Sequence, residues 1–150
     1  MLPAPDQAGT AGGLHLVFLA SPLAVRNSLA QMLAAPALRS LSPDARGTVE
    51  LVLAEVLNNV TEHAYDGRPG PVAVTLVPVA AGIHCLVVDQ GLVMPGGTLP
   101  EGNPPDLGTP LETLPEGGFG WHMIRSLTRD LAYVRTGGSN RVSFLLPLDA

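Results

Sequence analysis

Apolar residues change their period several times along the chain, and each change predicts an element. Residues 14–20, Leu-His-Leu-Val-Phe-Leu-Ala, have the length of a strand, and Ser21-Pro22 then offers an N-cap with proline at the first helical position. The helix expected there carries Val25, Leu29, Met32 and Leu33 on one face and should stop before Pro36. Ser42-Pro43 repeats the start signal, and one long helix is expected from there to about Tyr65. At about 100° per residue, Val49, Leu53, Val56, Val60 and Ala64 fall on one stripe, widened by Val52 and Leu57. Glu55, Asn59 and His63 form a second row, spaced i, i+4, i+8, along one edge of that stripe. Asp66-Gly-Arg-Pro-Gly70 breaks the helix.

Two runs of strand composition follow, over residues 72–79 and 83–89, separated by Ala-Ala-Gly, and predict an antiparallel hairpin. Residues 91–118 are rich in proline and glycine with few periodic apolar positions, the pattern of either a disordered segment or a functional lid. A short helix is expected over 119–127. A closing hairpin, 131–135 with 141–148, is expected to turn around Gly137-Gly-Ser-Asn140. Residues 1–13 show no periodicity and read as a flexible tail, leaving 14–150 as one domain. The element order predicts an α+β fold: a two-layer sandwich of a mostly antiparallel mixed sheet with helices on one face.

Composition narrows the chemistry. A hydrophobic content of 46% against 14% charged residues belongs to a globular chain. The net charge of -5 at pH 7 argues against a protein held to nucleic acid by phosphate neutralisation. Every basic residue is arginine, which excludes a P-loop lysine, the phosphate-pairing lysine of eukaryotic-type kinases, and Schiff-base chemistry. The single Cys85 excludes an intrachain disulfide framework and fits a reducing compartment. The start of the chain has no basic region, and its apolar run is short, so neither a signal peptide nor a membrane span is expected and the cytoplasm is the expected location.

Three features carry candidate chemistry: the Glu55/Asn59/His63 row, Asp89-Gln-Gly91 at a strand end, and Gly117-Gly118-Phe119-Gly120 opening a helix after the lid. Each alone is commonplace. A helical Glu and Asn four apart are most often a surface pair, Asp-x-Gly is most often a turn, and a glycine-rich helix start is most often a tight loop. His63 is most often a structural hydrogen-bonding residue at such an edge. Together, and in this order, they resemble the Bergerat-fold ATP-binding domains shared by gyrase, heat-shock chaperones and histidine kinases. The closer resemblance is to the stand-alone bacterial anti-sigma-factor serine/threonine kinases. It rests on residues 55–65, 89–91 and 117–127 and on the closing Gly138-Ser-Asn-Arg-Val142, and it spans about Leu14 to Leu148.

The resemblance implies a division of labour. Glu55 would be the general base, and Asn59 would ligate Mg²⁺ beside the phosphates through its amide oxygen, a hard ion choosing a hard donor. Asp89 would accept from the adenine amino group, with Gly91 letting the ring approach. Gly118, Phe119 and Gly120 would form the phosphate turn, its backbone N–H groups standing in for the missing lysine. His63 matches a position near the nucleotide. ATP and Mg²⁺ are the implied cofactors. The implied partners are a STAS-domain anti-anti-sigma protein and a sigma factor, with the chain itself a homodimer.

One departure stands out. The family motif Asp-x-Gly-x-Gly has Val93 at its second glycine, and a β-branched residue does not readily take positive φ. The lid carries Glu101, Asp106, Glu112 and Glu116, with no arginine between Arg68 and Arg125, so triphosphate binding would lean on Mg²⁺ and backbone amides. These features keep a second reading open: a nucleotide-binding or nucleotide-free interaction module without kinase activity. A third, an orphan histidine-kinase ATPase domain acting in trans, fits less well because no phospho-acceptor helices are present in this sequence.

Overall fold

Five strands form one sheet in the order β1-β2-β3-β5-β4. They are β1 (Leu14–Leu19), β2 (Pro71–Val79), β3 (Gly82–Asp89), β4 (Arg129–Thr136) and β5 (Ser139–Pro147). The sheet expected to be mostly antiparallel is antiparallel in all of its pairings. The computed structural model describes residues 12–102 and 118–148, so the expected tail over 1–13 and residues 103–117 of the expected lid lie almost wholly or wholly outside the described residues.

Local signals set the helices. In α1 (Pro22–Ala34) the Ser21 hydroxyl accepts from the Ala24 N–H at 3.0 Å, and in α3 (Pro43–Asn59) the Ser42 hydroxyl accepts from Ala45 at 3.1 Å. Both caps satisfy a donor that the first turn leaves unpaired. Pro36 ends α1 as expected, but it also opens a further short helix, α2 (Pro36–Arg39), because proline suits the first helical position. Arg46 of α3 secures this corner, donating to the carbonyls of Leu33 at 2.7 Å and Leu38 at 3.0 Å.

The long helix expected to reach Tyr65 is α-helical only to Asn59 and continues as a π-helical turn, Val60–Ala64. The Tyr65 N–H bonds the Val60 carbonyl at 3.0 Å, and the Thr61 hydroxyl takes the Leu57 carbonyl at 3.0 Å. A back-bonding threonine offers the helix an alternative partner and lets the ladder slip by one residue.

The core lies between the helices and one face of the sheet. Val49, Val52, Leu53, Val56 and Leu57 of α3 are buried with Val72, Val74, Leu76, Cys85, Val87, Phe144 and Leu146 of the sheet, and Trp121 and Ile124 of α4 (Gly118–Leu127) close the same cluster. Each such aliphatic burial contributes roughly 1.5–3 kcal/mol. The opposite sheet face presents exposed Val17, His84 and Val134. The closing hairpin turns on Gly137 and Gly138 alone, at φ 56 and 78, so Ser139 and Asn140, expected in the turn, belong to β5. Two consecutive positive φ values suit a two-residue turn that matches strand twist. Among the described residues, no helix is long and apolar enough to cross a membrane.

The Arg46 contacts generate a test of how α3 is anchored. Arg46→Ala should lower unfolding stability by about 1.5–3 kcal/mol, the worth of hydrogen bonds to a charged group. Urea denaturation reads the loss, and Arg46→Lys should restore only part of it: both bonds leave Nη1, and a shorter, more strongly hydrated ammonium must be desolvated to reach the same two carbonyls.

Candidate functional site

Strand register assembles the polar centre. Asp89, the last residue of β3, pairs with Asn140 of β5, and Asn140 pairs on its other side with Arg135 of β4. Directly opposed residues project to the same face about 5 Å apart, so these three residues from separate segments become one row. Asp89 and Asn140 are both only 3% exposed. Tyr133, two residues before Arg135, shares its face and pairs with Val142.

The hydrogen bonds are dense. The Asp89 Oδ1 accepts from the Gly91 N–H and from Asn140 Nδ2, each at 2.8 Å. Asn140 Nδ2 also donates to the Leu92 carbonyl at 2.8 Å, while its Oδ1 accepts from the Tyr133 hydroxyl at 2.5 Å and from Arg135 at 3.0 Å. Arg135 donates as well to the Gly91 carbonyl at 2.6 Å, and the Met94 N–H donates to the Tyr133 hydroxyl at 2.9 Å. The backbone over 91–94 is therefore clamped to β4 and β5.

Burial pushes the Asp89 carboxyl above the ordinary carboxylate range, against the opposing pull of Asn140, the Gly91 N–H and Arg135. Tyr65 stands behind it. Its hydroxyl donates to the Pro71 carbonyl at 2.6 Å and accepts from the Gln90 N–H at 2.7 Å. Burial raises the Tyr65 pKa, the Gln90 N–H opposes the rise, and the Asp89 charge adds to it, which keeps the phenol a donor.

Gly91 is explained by the helix end. A side-chain carbon there would collide with the Ala64 carbonyl and Cβ, and the Leu92 N–H donates to the same carbonyl at 2.7 Å. Glycine here thus allows a close approach to the π turn. Val93 sits 48% exposed, and the only described non-glycine residues at positive φ are Asp66 and Asp130, so position 93 does not require a glycine conformation here.

A cavity of about 200 Å³ opens between the π turn and the sheet end. Asn59, His63, Asp89, Leu92, Tyr133 and Asn140 are among its lining residues, with apolar walls from Val56, Val60, Met94 and Trp121. An apolar cleft with few convergent polar groups is the usual form of a small-molecule site.

Of the helix row, Asn59 reaches the cavity. Its Nδ2 donates to the Glu55 carbonyl at 2.7 Å; only the amide nitrogen can serve a carbonyl, so the amide oxygen is the end left for a cation. Glu55 lies one turn earlier, against the opening of α4: a Cβ at Gly120 would stand 2.5 Å from Glu55 Oε2. His63 departs from the α-helical phase because the π turn intervenes. Its side chain is 60% exposed, 4.0 Å from Glu62, and it meets the cavity only at the rim. α4 opens at Gly118, and its third residue, Gly120, stands against Glu55.

Sequence reasoning missed Tyr133, Arg135 and Tyr65 as site residues, and it gave Asn140 no role. The one signal was Asn140 in the closing hairpin motif, but its meaning depends on register.

Burial of Asp89 gives a pH-dependent expectation. A carboxyl with a folded pKa above its unfolded value costs stability when ionised. The cost is absent below the ordinary carboxylate pKa of 3.8, grows as pH rises through the folded value, and is constant above it. Asp89→Asn retains an oxygen acceptor for Gly91 and Asn140 but removes the charge. Its thermal midpoint relative to wild type should therefore climb between mildly acidic and neutral pH; a difference independent of pH would count against a buried ionised Asp89.

With this geometry in place, the comparisons are direct. The sequence profile of the histidine kinase-like ATPase domain matches residues 18–146. Two proteins named serine-protein kinase RsbW, from Bacillus thuringiensis (strain Al Hakam) and Bacillus cereus (strain AH187), are each 26% identical to the chain over 91 residues, 60% of this chain. The match spans 57% of the length of these curated relatives. The profile takes in every described helix and all of the sheet except residues 14–17 of β1 and the last residue of β5, and the chain belongs to the histidine kinase-like ATPase domain family.

Proposed function

We propose that the chain is a cytoplasmic serine/threonine kinase of the anti-sigma-factor type. It binds ATP with Mg²⁺ and passes the terminal phosphoryl group to a hydroxyl on a STAS-domain anti-anti-sigma protein. Acting as a homodimer that also holds a sigma factor, it regulates transcription by partner switching. The relatives named as serine-protein kinases support this reading. The observation that carries it is that one helix presents Asn59 to a cavity with the buried Asp89 acceptor in its wall, while Glu55, one turn earlier, stands against the start of α4 at Gly120.

The residues divide the work by chemistry. Asp89 accepts from the exocyclic amino group of adenine through the oxygen that Gly91 and Asn140 leave open. Val60, Met94 and Trp121 supply apolar surface for the ring. Asn59 is suited to hold Mg²⁺, since its amide oxygen is the free end and hard cations choose oxygen. Bound there, the ion would neutralise phosphate charge. The backbone N–H groups at the start of α4, from Gly118, Phe119 and Gly120, face the phosphates. Glu55 takes the proton of the attacking serine hydroxyl. His63, at the rim, borders the nucleotide without a required bond.

What weighs against a nucleotide-free interaction module is the open cavity beside Asn59 and the ordinary backbone at Val93. The departure at Val93, one of the two features that favoured that module in the sequence, loses force.

Transfer of labelled phosphate from ATP to the cognate STAS protein tests the reading, and no transfer by the wild type overturns it. Glu55→Gln should reduce transfer by roughly 10²–10⁴-fold, the usual worth of a general base, with Mg-ATP affinity little changed in calorimetry. Asn59→Ala should instead abolish Mg²⁺-dependent binding. Gly120→Ala provides an independent check. Its methyl would displace the Glu55 carboxylate 2.5 Å away, so transfer falls although the helix tolerates alanine as well as glycine or better.

A further inference from the structure

We propose that Asn140, held by Tyr133 and Arg135, is a positioning residue that keeps Asp89 an obligate hydrogen-bond acceptor and thereby sets the preference for a base bearing an exocyclic amino group over one bearing a carbonyl. The inference rests on the proposed ATP reading and goes beyond it by naming what controls base selection.

Asn140 has no capacity left for a ligand. Its amide nitrogen donates to Asp89 Oδ1 and the Leu92 carbonyl, and its oxygen accepts from the Tyr133 hydroxyl and Arg135. Two acceptors on one side and two donors on the other allow a single amide orientation. Reversed, the amide would set oxygen against oxygen and nitrogen against nitrogen. The side chain is therefore fixed from four directions while only 3% exposed.

This fixity passes to Asp89. Both donors, the Gly91 N–H and Asn140, fall on Oδ1, so Oδ2 is the carboxylate's second acceptor at the cavity. An ionised Asp89 accepts at Oδ2 and matches an N–H donor. A protonated Asp89 would carry its hydrogen on Oδ2 and match a carbonyl instead. Burial favours the protonated form; Asn140 and Arg135 favour the ionised one. The groups facing Asp89 are Asn140 from β5, Arg135 from β4, and the Tyr65 hydroxyl from behind the helix end, with His63 at the cavity rim. Among these, the Asn140 bond and the Arg135 charge pull towards ionisation together, because the same clamp holds both.

Calorimetric titration of the full chain with Mg-ATP and with Mg-ITP, which has a carbonyl in place of the amino group, tests the inference. Wild type should favour ATP by at least roughly 100-fold, since a site built around a hydrogen bond rejects the analogue that cannot make it. In Asn140→Leu, ATP affinity should fall roughly 10- to 100-fold, the range for a bond to a charged group, while ITP affinity changes little. The pH at which ATP binding declines on acidification should also move upward. Tyr133→Phe removes only the hydroxyl that fixes Asn140 and should give a smaller change in the same direction, and it decides the matter if Asn140→Leu does not fold. Equal weakening of ATP and ITP in a folded variant, or an unchanged ratio, overturns the inference. Wild type that binds both nucleotides alike overturns it alone, whereas wild type that binds neither overturns the ATP reading with it.

Discussion

The site depends on one junction between layers: the Ala64 carbonyl, at the end of the π turn, receiving the Leu92 N–H at 2.7 Å. Gly91 lies against the same carbonyl with no room for a side chain. This contact joins the helix that carries Glu55 and Asn59 to the strand end that carries Asp89. An α-helical ending would direct its last carbonyls along the helix axis. The π turn, together with the Thr61 bond to the Leu57 carbonyl, lets the chain present Ala64 sideways to the sheet. Helix irregularities of this kind recur at functional sites because they re-aim the backbone.

A second constraint is electrostatic. A carboxylate buried as deeply as Asp89 needs donors, or it takes up a proton. Its donors are one strand residue, Asn140, and one loop amide, the Gly91 N–H, with the Arg135 charge beside them; Asn140, Arg135 and Tyr133 in turn hold the Leu92, Gly91 and Met94 backbone. Stabilising the charge and fixing the backbone over 91–94 are thus one set of bonds. The arrangement explains how the backbone over 91–94 is held: its carbonyls and amides are partnered by side chains from the sheet.

Much of this was legible from residue order. Ser21-Pro22 and Ser42-Pro43 start helices as their chemistry requires, since capping is a local matter. The apolar stripe from Val49 to Leu57 is buried as its period indicates. The hairpin of β2 and β3 pairs as its composition indicates. Asp89 was recognisable as a special carboxylate because of its place at a strand end and its companions in the motif. At Gly91 the sequence announces a close approach, and the structure adds the Ala64 carbonyl as one thing that approaches.

The sequence by itself determined the helix caps, the strand runs and the one-turn spacing of Glu55 and Asn59, each encoded within a few neighbouring residues, and the family, encoded in the order of its short motifs. Tertiary structure alone decided that Asn140, Arg135 and Tyr133 surround Asp89, because register brings together residues 51 positions apart in the Asp89–Asn140 bond. It also decided that the long helix changes its hydrogen-bond step after Asn59 and turns His63 out to the rim. The physical reason is common to both: a side chain's face follows from local period, but its partner follows from where a distant strand is paired and where a distant carbonyl needs a donor.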